Sequence, residues 1–381
     1  MRASHTTTTT KPVTFLPARA MPGATKGRGA VDNPPGRFER HHRQLDESFG
    51  WTQDLDFDGV DAASAAPVTR VTEESARSII SRNQSPDVQF DQSINPYRGC
   101  EHGCIYCYAR PNHAYVGLSA GQDFESRLFV KTHAAELLRR ELASPAYRCR
   151  EIAIGTATDA YQPIERERQA TRRILEVLSE TRHPTSVITK SALIERDIDL
   201  LAPMARQRLA HVGVTVTTLD AGLARLWEPR AAAPWRRIET IRRLSEAGIP
   251  VSVFIAPIVP FINDQDIERI AEAASQAGAR SIRYTVIRLP WELQDVFVQW
   301  LRHHFPDREK RVLSRIKELR DRDRLNESEF FTRMRGKGPW AELIAMRIGL
   351  ASRKFGLTRD RLDLRTDLFA PPRLDGQLDL F

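Results

Sequence analysis

Cysteine is scarce: the 381 residues hold only four. That excludes a scaffold built on disulfides. Three of the four nonetheless fall within eight residues, at Cys100, Cys104 and Cys107, which directs attention to a local metal site. Long apolar runs are also missing. The most apolar stretch, 251–262, has twelve residues and two prolines, short of the ~20 that a membrane span needs. No apolar segment suited to a signal peptide is visible near the first residue, so the expectation is a cytoplasmic protein with reduced thiols and no membrane association. What is present is material for a core: 41% of residues are apolar and 28% charged, which excludes a wholly disordered chain. Lysine and arginine exceed aspartate and glutamate by 57 − 49, a net charge of +8. That surplus permits an anionic partner such as nucleic acid.

Residues 1–70 carry a five-threonine run, scattered glycine and proline and an Ala/Ser stretch, with no sustained period. They read as a disordered or wrapping extension. One piece stands out, Lys26-Gly-Arg-Gly-Ala followed by Asn33-Pro-Pro-Gly-Arg37-Phe38, whose cations between glycines suit either a phosphate contact or a flexible linker. Residues 71–290 form the core. Short β-rich runs at 93–98, 151–156, 186–190, 212–217, 250–255 and 281–287 alternate with helical patterns at 133–142, 165–178, 192–205, 236–247 and 264–277. Six βα units in series predict a parallel α/β sheet with right-handed crossovers, doubly wound or a partial barrel. Either way the active site belongs at the C-terminal ends of the strands. Residues 291–369 read as a helical C-terminal region, and 370–381 as an extended tail.

The cysteines lie in Asn95-Pro-Tyr-Arg-Gly-Cys100-Glu-His-Gly-Cys104-Ile-Tyr-Cys107-Tyr-Ala-Arg110, a C-x3-C-x2-C spacing. Structural zinc takes four ligands, commonly as two C-x2-C pairs. Here one tight loop holds three thiols, and Cys149 stands alone. Three thiolates on a four-iron cluster leave one iron open for chemistry. Gly99 and Gly103 let the loop curl so that each thiolate reaches a different iron. The alternative is zinc with His102 or His113 as fourth ligand.

This segment resembles the signature of the radical S-adenosylmethionine (SAM) superfamily, in which such a loop follows the first strand of a partial (β/α)6 TIM-type barrel. The resemblance implies a [4Fe-4S] cluster on Cys100, Cys104 and Cys107, SAM chelated by the open iron, and reductive cleavage to a 5′-deoxyadenosyl radical. It further implies an electron donor such as flavodoxin or ferredoxin, and an aromatic residue before the third cysteine to pack on adenine, here Tyr106.

Polar side chains gather at the predicted strand ends: Thr156 and Asp159 after the second, Lys190 after the third, Thr215 after the fourth and Glu228 beyond it. A zwitterionic nucleoside needs a cation for its carboxylate, hydroxyls for its ribose and an acceptor for its amine. Tyr106, Thr156, Lys190, Thr215 and Glu228 are therefore the expected SAM contacts; each alone could equally serve as a helix cap. Thr189-Lys190, Glu228-Pro229, Ala256-Pro257-Ile258 and the tyrosines Tyr106 and Tyr108 resemble the spore photoproduct lyase-like branch of the superfamily. That resemblance assigns Tyr108 to hydrogen-atom relay; Asp159 joins it as a candidate catalytic group. One departure matters. The branch's hydrogen-donor cysteine falls on Thr156 here, and Cys149 lies seven residues earlier, about 20 Å away at ~3.3 Å per residue. Photoproduct reversal is therefore not implied. The start Lys26-Gly-Arg-Gly-Ala and the segment Arg333-Met-Arg-Gly-Lys-Gly-Pro-Trp340-Ala-Glu342 more closely resemble an uncharacterised bacterial group of lyase-like radical proteins.

Arg333 to Trp340 combines cations, glycines and a tryptophan, which suits backbone contact with base stacking or a structural loop. The last residues, Gln377-Leu-Asp-Leu-Phe381, resemble the short peptide by which bacterial repair proteins dock on the sliding clamp. The reading is a radical SAM enzyme acting on nucleic acid or a nucleic-acid lesion. The alternatives are a radical enzyme that modifies a protein or small molecule, and a non-enzymatic iron–sulfur protein.

Overall fold

The computed structural model describes residues 27–38, 68–88, 90–320 and 324–373. The threonine run, Lys26 and the 377–381 peptide lie outside the described residues. Among the described residues ten strands occur: β1 (Arg70–Ser75), β2 (Ile80–Arg82), β3 (Gln92–Ile94), β4 (Tyr97–Arg98), β5 (Arg127–Thr132), β6 (Ile152–Ile154), β7 (Thr185–Thr189), β8 (Ala210–Thr215), β9 (Val251–Ile258) and β10 (Ser281–Val286). The main sheet has the order β10-β9-β8-β7-β6-β3-β2. Its pairs are parallel except for the edge pair β2–β3. The six parallel strands in sequential spatial order are the expected six βα units, closed as a partial TIM-type barrel. A second, three-stranded sheet has the order β1-β5-β4.

Strand alternation divides the main sheet into two faces. Ile94, Ile154, Val187, Val212, Val214, Val251, Val253, Ile255 and Ile282 face outward into one core. Over that face pack α2 (Ala134–Leu142), α4 (Ala170–Glu180), α5 (Ile198–Arg206), α7 (Pro234–Glu246) and α8 (Ile267–Gln276). Two short helices precede members of this layer, α1 (Gln122–Ser126) and α3 (Glu165–Arg168), and α6 (Ala221–Trp227) ends at Trp227. Many of the inward positions are small or polar, but Ile188 and Phe254 are among them and pack over Gly213. The register aligns Ser93, Ala153, Ser186 and His211, and one pleat further Gly213, Ser252 and Ser281. The Ser252 and Ser281 hydroxyls meet at 2.5 Å. Most parallel sheets bury apolar side chains on both faces; here the inner face, toward the barrel lumen, mixes small and polar residues with Ile188 and Phe254.

Two boundaries differ from the sequence reading. The first β-rich run breaks at Asn95-Pro96, because proline supplies no ladder N–H; beyond the break the Asn95 side-chain Oδ1 accepts from Ala157 N at 2.7 Å. The helix expected over 165–178 splits at Gln169, whose φ is +49°. The Glu165 carboxylate accepts from the amides of Thr171 (3.0 Å) and Arg172 (3.3 Å), and so caps α4 from the preceding turn.

The C-terminal region adds α9 (Leu293–His304), α10 (Glu309–Glu318) and α11 (Gly338–Lys354). Trp300, Leu301, Val312 and Ile316 join Ile105, Tyr106 and Trp227 in a second core behind the cysteine loop. After α11 the chain crosses the N-terminal ends of the strands. Thr358 bonds Arg280 and Ile282, Arg361 pairs with Glu151 at 2.8 Å, Arg365 N reaches Arg208 O, and Ala370 N reaches Thr181 O. This strap closes the lumen at the end away from the cysteines. Among the described residues no helix is long and apolar enough to cross a membrane.

Candidate active site

The cysteine loop leaves β3 and β4 at the C-terminal end of the parallel sheet. Gly99 and Gly103 adopt φ of +79° and +66°, the left-handed region that an L side chain enters at a cost. Turn bonds follow from Gly103 N to Cys100 O, Cys107 N to Cys104 O and Arg110 N to Cys107 O. Cys100 and Cys104 are buried and Cys107 is half-buried. Burial pushes the Cys104 thiol up to about 12, against the opposing effect of Lys190. Burial raises Cys100 too, although the Asp159 backbone N–H faces its sulfur and favours the thiolate.

Arg110 holds this loop in shape. Its side chain is fully buried. Nε donates to Cys104 O at 2.9 Å, Nη2 to Gly103 O at 3.0 Å, and Nη1 to Ala120 O and Gly121 O at 3.0 and 2.9 Å. Glu125, also fully buried, supplies the countercharge. Its two carboxylate oxygens also accept from the backbone amides of Gly29 and Ala30, both at 2.9 Å. Arg28 Nη1 donates to the Glu125 carbonyl at 2.6 Å. The Gly-Arg-Gly-Ala stretch is thus a wrap seated on the cysteine loop. A Cβ at Gly29 would lie 2.0 Å from Gly103 O, so only glycine fits there.

The expected cofactor contacts converge beside this loop. The Tyr106 hydroxyl donates to Glu228, and its ring lies 4.8 Å from that of Trp227. Glu228 also accepts from the Thr217 hydroxyl at 3.0 Å and pairs with buried Arg237. Burial opposes the Glu228 charge, but Arg237 and Lys190 outweigh it and hold the carboxyl low. Arg237 reaches the Thr215 carbonyl at 3.2 Å, and the Thr215 side chain is buried at the end of β8. Lys190 Nζ stands 5.8 Å from the Tyr106 ring centroid. Burial disfavours its charge, yet Cys104, Glu228 and Asp159 raise its pKa. Among the described residues no carboxylate forms an ion pair with Nζ, so no direct contact neutralises the Lys190 charge.

Asp159 is engaged by the protein on both oxygens. It accepts from the Thr189 hydroxyl at 2.7 Å, Lys190 N at 2.8 Å and Tyr161 N at 2.9 Å. His102 Nδ1 lies 3.2 Å away. Burial would raise its pKa, but His102, Lys190 and Thr189 together hold it well below the usual range. The Thr156 hydroxyl accepts from Asn95 Nδ2 at 3.1 Å, and its carbonyl accepts from the Tyr108 hydroxyl. Tyr108 is half exposed, with the Arg288 guanidinium 5.6 Å from its ring centroid. The zinc alternative finds no support. His102 faces Asp159, and His113 bonds the Arg127 carbonyl at 3.0 Å with its ring against Phe124. Cys149 sits before β6, at the strap end of the barrel.

The sequence profile of the Radical SAM superfamily matches residues 94–274. An uncharacterised protein of Mycobacterium tuberculosis is 33% identical over 232 residues, 60% of this chain and 67% of the relative. The chain belongs to the radical SAM superfamily. An uncharacterised protein of Methanocaldococcus jannaschii is 32% identical over 171 residues, 45% of this chain and 61% of its own. Among solved structures, spore photoproduct lyase complexed with dinucleoside spore photoproduct superposes with a TM-score of 0.52 at 11% identity. The match covers 75% of this chain and 80% of that one. The likeness is one of fold, and the fold is that of a radical SAM enzyme.

The cofactors of a radical SAM enzyme are a [4Fe-4S] cluster and SAM, and the donor set here fits them. The buried thiols ionise only against a strong positive centre such as iron. Among the described residues no set of three His, Cys, Asp or Glu side chains converges on one metal-ion position, as thiolates on three different irons need not. When bound, the reduced cluster supplies the electron that cleaves the sulfonium of SAM. Three features were not singled out from the sequence: Arg110, the Arg237–Glu228 pair and the Gly29 contact. Arg110 carried a signal, being a cation inside the cysteine motif. Glu125 carried none, because its partners Gly29 and Ala30 are remote in sequence; Arg237 carried none, because nothing in its helix distinguishes it from the neighbouring arginines.

Proposed function

We propose that Cys100, Cys104 and Cys107 hold one [4Fe-4S] cluster, that Lys190 pairs with the SAM carboxylate, and that the radical acts on nucleic acid. The observation that carries the first two parts is the position of Lys190. Its unpaired ammonium stands over the Tyr106 ring, beside the loop that bears all three thiols. Glu228 and Asp159 are positioning residues in this account. Glu228 fixes the Tyr106 hydroxyl, and Asp159 fixes the Lys190 backbone. Thr215, buried at the end of β8, holds Arg237 through its carbonyl.

The nucleic-acid part rests on the net charge of +8 and a fold shared with an enzyme solved with dinucleoside spore photoproduct. Thr156 stands where that branch carries its donor cysteine, so a cysteine-returned hydrogen is not part of the proposal. Tyr108 remains the candidate relay, being half exposed and next to Cys107. A flavodoxin or ferredoxin would supply the electron, and the 377–381 peptide would recruit the enzyme to a sliding clamp. The test is anaerobic reconstitution followed by product analysis with damaged and undamaged DNA. Support is a new DNA product, or faster SAM cleavage when DNA is present. No DNA product and an unchanged cleavage rate would contradict the substrate assignment.

A further inference from the structure

Seven aromatic side chains are largely exposed among the described residues: Phe38, Tyr108, Tyr115, Trp235, Trp291, Phe330 and Phe331. Six of them, all but Trp235, lie on segments packed around the C-terminal ends of β3 and β10, beside the cysteine loop. Tyr108 follows Cys107. Tyr115 lies on the 3-10 turn Arg110–Val116. Trp291 follows the end of β10. Phe330 and Phe331 belong to the loop whose Met334 carbonyl accepts from Val286 N at 2.9 Å. A random scatter of surface rings would not gather at one mouth.

Most of these rings are interleaved with arginine. The Arg37 guanidinium lies 4.7 Å from the Phe38 centroid, 5.0 Å from Tyr115 and 4.7 Å from Trp291. Its Nη1 donates to both Glu292 oxygens at 3.0 and 2.7 Å and to the Pro111 carbonyl at 3.2 Å. Its backbone N donates to Glu292 Oε1 at 2.8 Å. Arg37 is thereby locked, yet the three rings it gathers remain 56, 64 and 61% exposed. Arg288 stands over Tyr108, and its Nε has no partner among the described residues. Arg333 lies 4.8 Å from Phe330 and is held by Asp87. Arg335 and Lys337 in the same loop are exposed. The sequence of Arg333 to Trp340 suits either a base-stacking segment or a structural loop; Trp340 packs against the core, and the exposed rings of this region are Phe330 and Phe331.

We propose that this rim is a stacking track for unpaired nucleobases, which feeds a single strand or an extruded nucleotide to the lumen beside Tyr108. The proposal rests on the nucleic-acid reading above. Rigid rings with one free face stack bases of any sequence, and cations along the same line take the phosphates. A protein-docking patch would call for apolar aliphatic side chains around the rings, whereas charged residues surround them: Arg37, Arg333 and Lys337 pair with Glu292, Asp87 and Glu329, and Arg288 and Arg335 form no ion pair among the described residues.

The test is fluorescence anisotropy of the cluster-loaded protein with a labelled single-stranded oligodeoxynucleotide. The variants are Tyr115→Ala, Trp291→Ala and Phe331→Ala, with Leu350→Ala on exposed α11 as control. Each rim variant should weaken binding about five- to a hundredfold, with DNA-independent SAM cleavage unchanged and the control like wild type. Trp291 fluorescence should also be quenched by the oligonucleotide, a signal absent from Trp291→Phe. Wild-type affinity in all three rim variants would overturn the track while leaving the substrate reading intact. No oligonucleotide binding by the wild-type protein would overturn both. Rim variants that keep full oligonucleotide affinity but change the oligomeric state would assign the rings to protein contact and overturn the proposal.

Discussion

Gly29 donates its backbone N–H to Glu125 across ninety-six positions of sequence, and its Cα packs where a methyl group would meet the Gly103 carbonyl at 2.0 Å. The cysteine loop is therefore shaped from three sides: its own turns, the Arg110 guanidinium, and a wrap from the N-terminal region. Gly29→Ala must displace either the wrap or the loop. Overpacking of this kind costs about 1–3 kcal/mol. We expect lower iron content and weaker brown absorbance after anaerobic reconstitution. Wild-type iron loading in Gly29→Ala would show that the wrap does not shape the cluster site.

Replacing Cys100, Cys104 or Cys107 by Ala should each abolish the chromophore, while Cys149→Ala should retain it. Iron and sulfide determination on the four variants checks this. Loss of the cluster in Cys149→Ala would contradict the three-ligand arrangement.

Lys190→Ala should weaken SAM binding by about 1–3 kcal/mol, the worth of a charge-assisted hydrogen bond, without loss of the cluster. Equilibrium binding of SAM to the loaded protein measures it. Unchanged affinity would confine Lys190 to a structural role.

Glu228→Gln removes the countercharge from the buried Arg237 guanidinium. Breaking a buried pair from one side costs about 3–5 kcal/mol. Denaturant unfolding should show a loss of that order, together with weaker SAM binding as the Tyr106 hydroxyl loses its charged acceptor. A stability within error of wild type would mean that Arg237 finds water or another acceptor.

Deleting residues 377–381 should leave iron content and SAM cleavage unchanged, because the strap that leads toward them runs along the barrel end away from the cysteines. It should abolish binding to a bacterial sliding clamp. Burying Leu378, Leu380 and Phe381 offers ~1.5–3 kcal/mol each, much of it offset by ordering the peptide, so the expected affinity is micromolar. Absence of clamp binding by the full chain at tens of micromolar would remove this partner.

The six parallel strands were legible because each carries a β-rich run closed by turn residues, and the helices between them keep a strong period. The cysteine loop was legible because its ligands are contiguous. The split at Gln169 was not, because it depends on Glu165 turning back to cap the next helix. The seat of the Gly-Arg-Gly-Ala stretch was not either, because its partner Glu125 lies far along the chain and no local pattern links them. Asp159 shows the limit on side-chain roles. Its position after a strand suggested chemistry, but whether its oxygens are free depends on Thr189, Lys190 and His102, three contacts that only the folded chain reveals.

The central claim is that this loop carries a cluster that reductively cleaves SAM. Its most direct test is chromatographic detection of 5′-deoxyadenosine after the reconstituted protein is reduced with dithionite in the presence of SAM. The account predicts 5′-deoxyadenosine from the wild-type protein and none from Cys104→Ala. A wild-type protein with a full iron complement that yields no 5′-deoxyadenosine, with or without DNA, would contradict it.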